Sequence, residues 1–177
     1  MFHRKPAAIT RIIMTDIIKI TTNEQKKELV EVIRASNATV AKEFNLTKEN
    51  APTNPAFITY EALAGSMDRG LTVYGFYDDN RLAGCIGIED PKRDDTFYIE
   101  RLAVLPACRN KGIGRRLLDY AFEEIKSMKG KKVSIAIIDE NKALKRWYKN
   151  YGFEESGLKK FDHLPFGVCF LQKKITQ

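Results

Sequence analysis

RNKGIGRRLLDYAFEEI, residues Arg109–Ile125, sets two glycines one residue apart among basic side chains, and an amphipathic pattern starts at once. Glycine is a poor helix former, so using it twice at a helix start implies that something approaches that backbone. TFYIERLAVL, Thr96–Leu105, reads as a strand ended by Pro106. Ile113, Leu117, Leu118, Ala121, Ile125 and Met128 then fall on one helical stripe, with Gly130 as the stop. A loop feeding a helix N-terminus leaves main-chain N–H groups without intrahelical partners at the positive end of the helix dipole. Arg109, Lys111, Arg115 and Arg116 add charge there, and a diphosphate is the natural guest. The plainer reading is a glycine turn made only for tight strand-to-helix packing, and the loop alone leaves the two level. The P-loop pattern is absent, and Leu117 stands where the dinucleotide fingerprint needs a third small residue.

Outward from this loop, Ile17–Thr22 reads as a strand and Asn23–Ser36 as a helix capped by Thr22 or Asn23. A breaker-rich segment, NLTKENAPTNPAF, separates it from a short helix over Tyr60–Met67. Leu71–Tyr77 and Leu82–Ile88 form a hairpin around DDNR, and EDPKRDD leads into the Thr96 strand. After the glycine-led helix come KKVSIAII (131–138), continuous enough for a strand buried on both faces, and a helix over Asn141–Tyr151 stopped by Gly152. Strands over Phe153–Phe161 and Val168–Lys173 flank DHLPFG. The order β-α-α-β-β-β-α-β-α-β-β predicts an α/β (mixed α+β) domain with helices on both faces of the sheet.

At 177 residues this is one domain, assigned to 14–177, with 1–13 as an N-terminal appendage outside the fold. No apolar run is long enough to cross a bilayer, and the expectation is a soluble cytoplasmic protein. Cys85, Cys108 and Cys169 are odd in number and far apart, which argues against a disulfide framework or a metal site. The net charge of +7 is uneven: residues 1–100 hold 13 Lys and Arg against 15 Asp and Glu, and residues 101–177 hold 17 against 8. That bias suits an anionic ligand for the second half, although a solvated basic face has the same composition.

Arg109-x-x-Gly112-x-Gly114, preceded by Leu102-Ala103-Val104-Leu105-Pro106, resembles the acetyl-CoA-binding loop of the GNAT superfamily of N-acetyltransferases. About twenty-five residues on, NKALKRWYKNYGF is similar to that superfamily's next signature, with Asn141, Tyr148, Gly152 and Phe153 in the matching places. The match departs at Leu144, where a small residue is usual, and at Cys108, where an aromatic is common. The resemblance implies a GNAT-like fold: a twisted mixed sheet of about six to seven strands whose fourth and fifth strands, here 96–105 and 131–138, splay apart. It also implies acetyl-CoA as cosubstrate and no metal. Arg109, Asn110, Lys111, Gly112, Ile113, Gly114 and Arg115 would then hold the diphosphate, and Leu102, Ala103 and Val104 the pantetheine arm, with an oxyanion donor near Val104. Asn141 would bond that arm or cap its own helix, and Lys145, Arg146 or Lys149 would meet the 3′-phosphate if they do not simply face solvent.

Tyr148 is the candidate general acid for the leaving thiolate; the alternative is a core aromatic with a satisfied hydroxyl. Glu100 is the candidate base, since strand alternation puts it on the face of Tyr98, Leu102 and Val104. A cross-strand partner for a basic side chain stands level with that role. His163 in DHLPFG reads better as a turn residue than as a catalytic one. The expected reaction is direct acetyl transfer to a primary amine of a small molecule or peptide, the acceptor lying among the first helices, NLTKENAPTNPAF and DHLPFG. The competing readings are a non-catalytic CoA-binding regulatory module and, behind it, a nucleic-acid-binding protein. Neither nucleic acid nor membrane is expected as a partner, and the sequence leaves a homodimer open.

Overall fold

The computed structural model describes residues 15–90 and 94–176, so the proposed appendage at 1–13 lies outside the described residues. The elements follow the expected order: β1 (Thr15–Lys19), α1 (Asn23–Glu43), α2 (Tyr60–Asp68), β2 (Leu71–Asp78), β3 (Arg81–Glu89), β4 (Thr96–Val104), α3 (Ile113–Ser127), β5 (Lys132–Ile138), α4 (Lys142–Tyr151), β6 (Glu154–Lys160) and β7 (Gly167–Lys174). They build one seven-stranded sheet in the order β1-β2-β3-β4-β5-β7-β6, antiparallel except between β4 and β5.

Thr22 starts α1 with a reciprocal capping box, its hydroxyl accepting from the Gln25 N–H while the Gln25 side chain accepts from the Thr22 N–H. The helix does not stop at Ser36 as the sequence suggests. It runs a further seven residues to Glu43, because Ala41 is buried in a small cluster with Leu46 and Ala51. Phe44, Phe57, Ile138 and Phe166 pack against that cluster, so the far end of α1 reaches the end of β5 and the loop before β7. α1 and α2 cover one sheet face, where Leu29, Ile33 and Leu63 meet Val73 and Cys85. α3 and α4 cover the other, with Leu117, Leu118, Ile125 and Tyr148 against Ile86, Phe97 and Val133. Met128 is the C-cap of α3 and 45% exposed, so it leaves the expected stripe. β5 is likewise not buried on both faces, since Ala136 is exposed.

Two irregularities shape the centre. β4 and β5 pair only through Thr96↔Lys132, Phe97↔Val133 and Tyr98↔Ser134, yet run on to Val104 and Ile138. Beyond Tyr98 the two strands therefore separate into a wedge. In β4, Arg101 and Leu102 together face one residue of β3, between the pairs Cys85↔Ala103 and Gly87↔Glu100, and Arg101 adopts φ 54°. This β-bulge shifts the alternation by one residue. Phe97, Ile99, Leu102 and Val104 all pack with the α3/α4 core, while Ala103 joins the α1/α2 core. Glu100 thus lies on the face opposite Leu102 and Val104, contrary to the expectation from simple alternation.

Candidate active site

The wedge opens into a cavity of about 560 Å³ with three walls. One is the end of β4 with the loop and first turn of α3: Leu102, Ala103, Val104, Arg109, Asn110, Gly112, Ile113, Gly114 and Arg115. The second is the start of α4, with Asn141, Leu144, Trp147 and Tyr148. The third is α1, with Ser36, Asn37, Thr39, Val40 and Glu43. Lys111 and Glu100, both named from the sequence, do not line it. The sequence suggests the first helices as neighbours of the acceptor, but of these α1 residues only Ser36 lies within the helix it suggests; the rest share one helical face by their spacing of three and four.

Gly112 is the N-cap of α3 at φ 78°, and no side chain caps the helix there. Asn110 is also left-handed, at φ 61°. A Cβ on Gly112 would meet nothing within 4 Å, and one on Gly114 would meet Trp147 and Val104 no closer than 3.7 Å. At Gly130, by contrast, a Cβ would fall 2.4 Å from Ile125. Packing within the chain therefore requires no glycine at 114, which weighs against the plainer reading of the loop. The uncapped N–H groups and the open space over Gly112 fit a bulky anion held by main chain.

The basic residues around the loop divide. The Arg109 guanidinium is engaged within the chain, donating from Nε to the Val104 carbonyl at 3.2 Å, from Nη1 to Thr39 Oγ1 at 3.1 Å and from Nη2 to the Ser36 carbonyl at 2.6 Å. It straps α1 to the end of β4. Arg116 is exposed, with its guanidinium 4.7 Å from the Phe76 ring centre, and does not line the cavity. Arg115 is exposed, 5.3 Å from the Tyr151 ring centre, with Asp119 3.9 Å away. Of the α4 cations, Lys145 is only 12% exposed and bonds Asp139, while Lys149 bonds Glu155 at 3.2 Å. Arg146 is exposed.

Main-chain direction in β4 follows from a single bond. The Leu105 N–H donates to the Ala83 carbonyl at 2.9 Å, so alternation turns the N–H and C=O of Val104 away from β3 and into the wedge. Across the wedge, Asn141 is the N-cap of α4, its side chain accepting from the Leu144 N–H at 3.0 Å. Tyr148 is 5% exposed and lines the cavity. Burial alone lifts its phenol above the ordinary tyrosine range, and among the described residues nothing hydrogen-bonds its hydroxyl. Its oxygen is not among the solvent-shielded side-chain atoms that lack a partner, so the hydroxyl opens on the cavity. His163 is exposed, with its ring 5.7 Å from that of Phe161, and does not line the cavity.

Among the described residues no cluster of side chains suited to a metal ion occurs, and no helix is long and apolar enough to cross a membrane. The family model for the acetyltransferase (GNAT) family matches residues 37–153, and the chain belongs to that family. It is a GNAT-type N-acetyltransferase. The fold is similar to that of the ribosomal-protein-S18-alanine N-acetyltransferase from Escherichia coli, at 14% identity over 93% of this chain and 96% of that one, with a TM-score of 0.73. It is similar too to the PaiA N-acetyltransferase from Thermoplasma acidophilum, whose structure contains coenzyme A, at 19% identity, 92% and 99% coverage and a TM-score of 0.68. A GNAT acetyltransferase from Staphylococcus aureus Mu50 matches at 20% identity, 92% and 100% coverage and 0.69. No curated protein matches the chain.

Proposed function

We propose that this enzyme transfers the acetyl group of acetyl-CoA directly to a primary amine, within the wedge between β4 and β5. One observation carries the reading: a single cavity joins an uncapped glycine loop, the diverging edge of β4 and the hydroxyl of a buried tyrosine, which has no partner among the described residues. Gly112, Gly114 and the main-chain N–H groups of the loop hold the diphosphate, with Arg115 adding charge from the rim. Leu102, Ala103 and Val104 present strand edge to the amide-bearing arm, and Asn141 fixes the facing end of α4. Arg109 serves this site by position, through its strap to α1.

Bound acetyl-CoA supplies an activated acyl carbon, whose bond to sulfur breaks as the bond to the amine nitrogen forms. The Val104 N–H, turned into the wedge, donates to the oxyanion. Tyr148, a phenol that is neutral at physiological pH even before burial raises it further, gives its proton to the departing thiolate. Glu100 acts from the opposite face of β4, drawing the ammonium of the acceptor and taking its proton through water. The unpartnered Tyr148 hydroxyl in the cavity speaks against a non-catalytic CoA-binding module. Calorimetric titration of the purified chain with acetyl-CoA tests the reading directly: saturable binding lost in Gly114→Asp supports it, and a folded protein that ignores acetyl-CoA overturns it.

A further inference from the structure

The bulge in β4 creates a second feature, separate from the cavity. Arg101 takes a left-handed conformation, φ 54°, in the middle of a strand, a costly state for a residue with a side chain. Its guanidinium reaches α2 and donates from Nη2 to Ser66 Oγ at 3.2 Å. Arg69, the C-cap of α2, donates from its own Nη2 to the same oxygen at 3.4 Å. Two cations thus converge on one neutral hydroxyl, whose own proton goes to the Ala62 carbonyl at 2.9 Å. Neither arginine has a carboxylate partner among the described residues. Arg101 Nε is shielded from solvent and has no hydrogen-bond partner at all.

The C-terminal dipole of α2 favours nearby cations but does not account for the arrangement. The main-chain N–H groups of Arg69 and Gly70 already take the carbonyls of Ser66 and Met67, and a helix end does not call for a guanidinium with an unmade bond in a strained strand. A buried, unsatisfied charged donor costs stability. The missing element is an acceptor with negative charge and two oxygens, the group that a guanidinium fork fits best.

We infer that Arg69, Arg101 and Ser66 form a carboxylate-binding site, and that its ligand is the carboxylate of the acceptor amine. Arg101 follows Glu100 directly, just beyond the Tyr98↔Ser134 pair where β4 leaves β5. The acceptor class is then an amino acid or short peptide: the ammonium goes to the wedge and the carboxylate to the arginine pair. This inference rests on the acetyltransfer reading above only for the identity of the ligand, and the arginine site is testable alone.

The test is a ¹⁵N-edited NMR titration of the whole chain, following the Arg101 and Arg69 Nε–H signals. Sodium acetate and glycylglycine should shift both signals saturably, while sodium chloride at equal ionic strength and glycinamide should not. Arg69→Gln should weaken acetate about tenfold or more, the loss expected for one charge-assisted bond. Arg101→Met should abolish the acetate response at Arg69 without lowering Tm, because it removes an unpaired charge from a shielded place; a structural guanidinium would lower Tm instead. No acetate response in the wild type overturns the site. A response to acetate but not to glycylglycine overturns the assignment of its ligand to the acceptor. Acetyl-CoA binding, measured separately, distinguishes either failure from failure of the acetyltransferase reading.

Discussion

A Cβ on Gly114 would make only ordinary contact with Trp147 and Val104, at 3.7 and 3.8 Å, and that makes the residue a clean probe of the site. An aspartate there sits in the first turn of α3, where negative charge favours the helix dipole. Gly114→Asp should therefore melt no lower than the wild type, yet bind acetyl-CoA about a hundredfold more weakly, because it fills and charges the proposed anion cradle. Differential scanning calorimetry and isothermal titration read the two effects separately. Gly112→Ala differs: at φ 78° any side chain is strained, and the variant should lose about 1 kcal/mol of stability as well. Tyr148→Phe keeps ring packing and removes only the hydroxyl proposed as proton donor. It should retain acetyl-CoA affinity and lower turnover, followed as released thiol, by a factor on the order of 10² to 10⁴. Retained turnover would leave Tyr148 as core packing.

The elements are held by two ties that act at a distance. Arg109 reaches from the α3 loop to α1, across 70 and 73 positions of chain, through Thr39 and Ser36. Arg109→Gln should cost about 1–3 kcal/mol in urea unfolding, the range for hydrogen bonds made by a charged group. The other tie joins α4 to the ends of β5 and β6 through Lys145, Asp139 and Glu155. The bond from Lys145 lowers the carboxyl of Asp139, and Lys149 and then Lys145 lower that of Glu155. A depressed carboxyl contributes stability that is complete above its unfolded value, about 4, and lost as pH falls through the folded one. Lys145, raised by its bond to Asp139, loses its share instead as pH rises through its folded value. Lys145→Met should flatten both limbs of a Tm-against-pH curve, and an unchanged curve would count against the tie.

For the molecule as a whole, the wedge is an interruption of a sheet that is otherwise paired from β1 to β6. Alternate amides of β4 then differ in kind: Leu105 is bonded to β3, whereas Leu102 and Val104 turn toward the opening. Hydrogen exchange should be faster at Leu102 and Val104 than at Ala103 and Leu105. Saturating acetyl-CoA should slow the first pair selectively. Uniform slowing would place the ligand elsewhere, or point to general stabilisation.

Much of this protein is local chemistry, and that part is readable in order along the chain. The apolar stripes of α1 and α3, the DDNR turn, the two glycines and the Asn141 cap rest on residues within a few positions of one another, where period and capping rules operate. Hence the element order and most of the cavity's second-half lining follow from Arg109–Phe153 alone. Tertiary structure decided what depends on pairing. Alternation predicts faces only while a strand stays regular, and the bulge at Arg101 arises where β4 meets β3; it moves Glu100 to the other face. The Arg109 sequence context looks like that of an anion ligand, but its guanidinium turns to carbonyl and hydroxyl groups that α1 and β4 bring within reach. The length of α1, and with it the third wall of the site, is set by burial of Ala41 among residues that come together only once the sheet has formed.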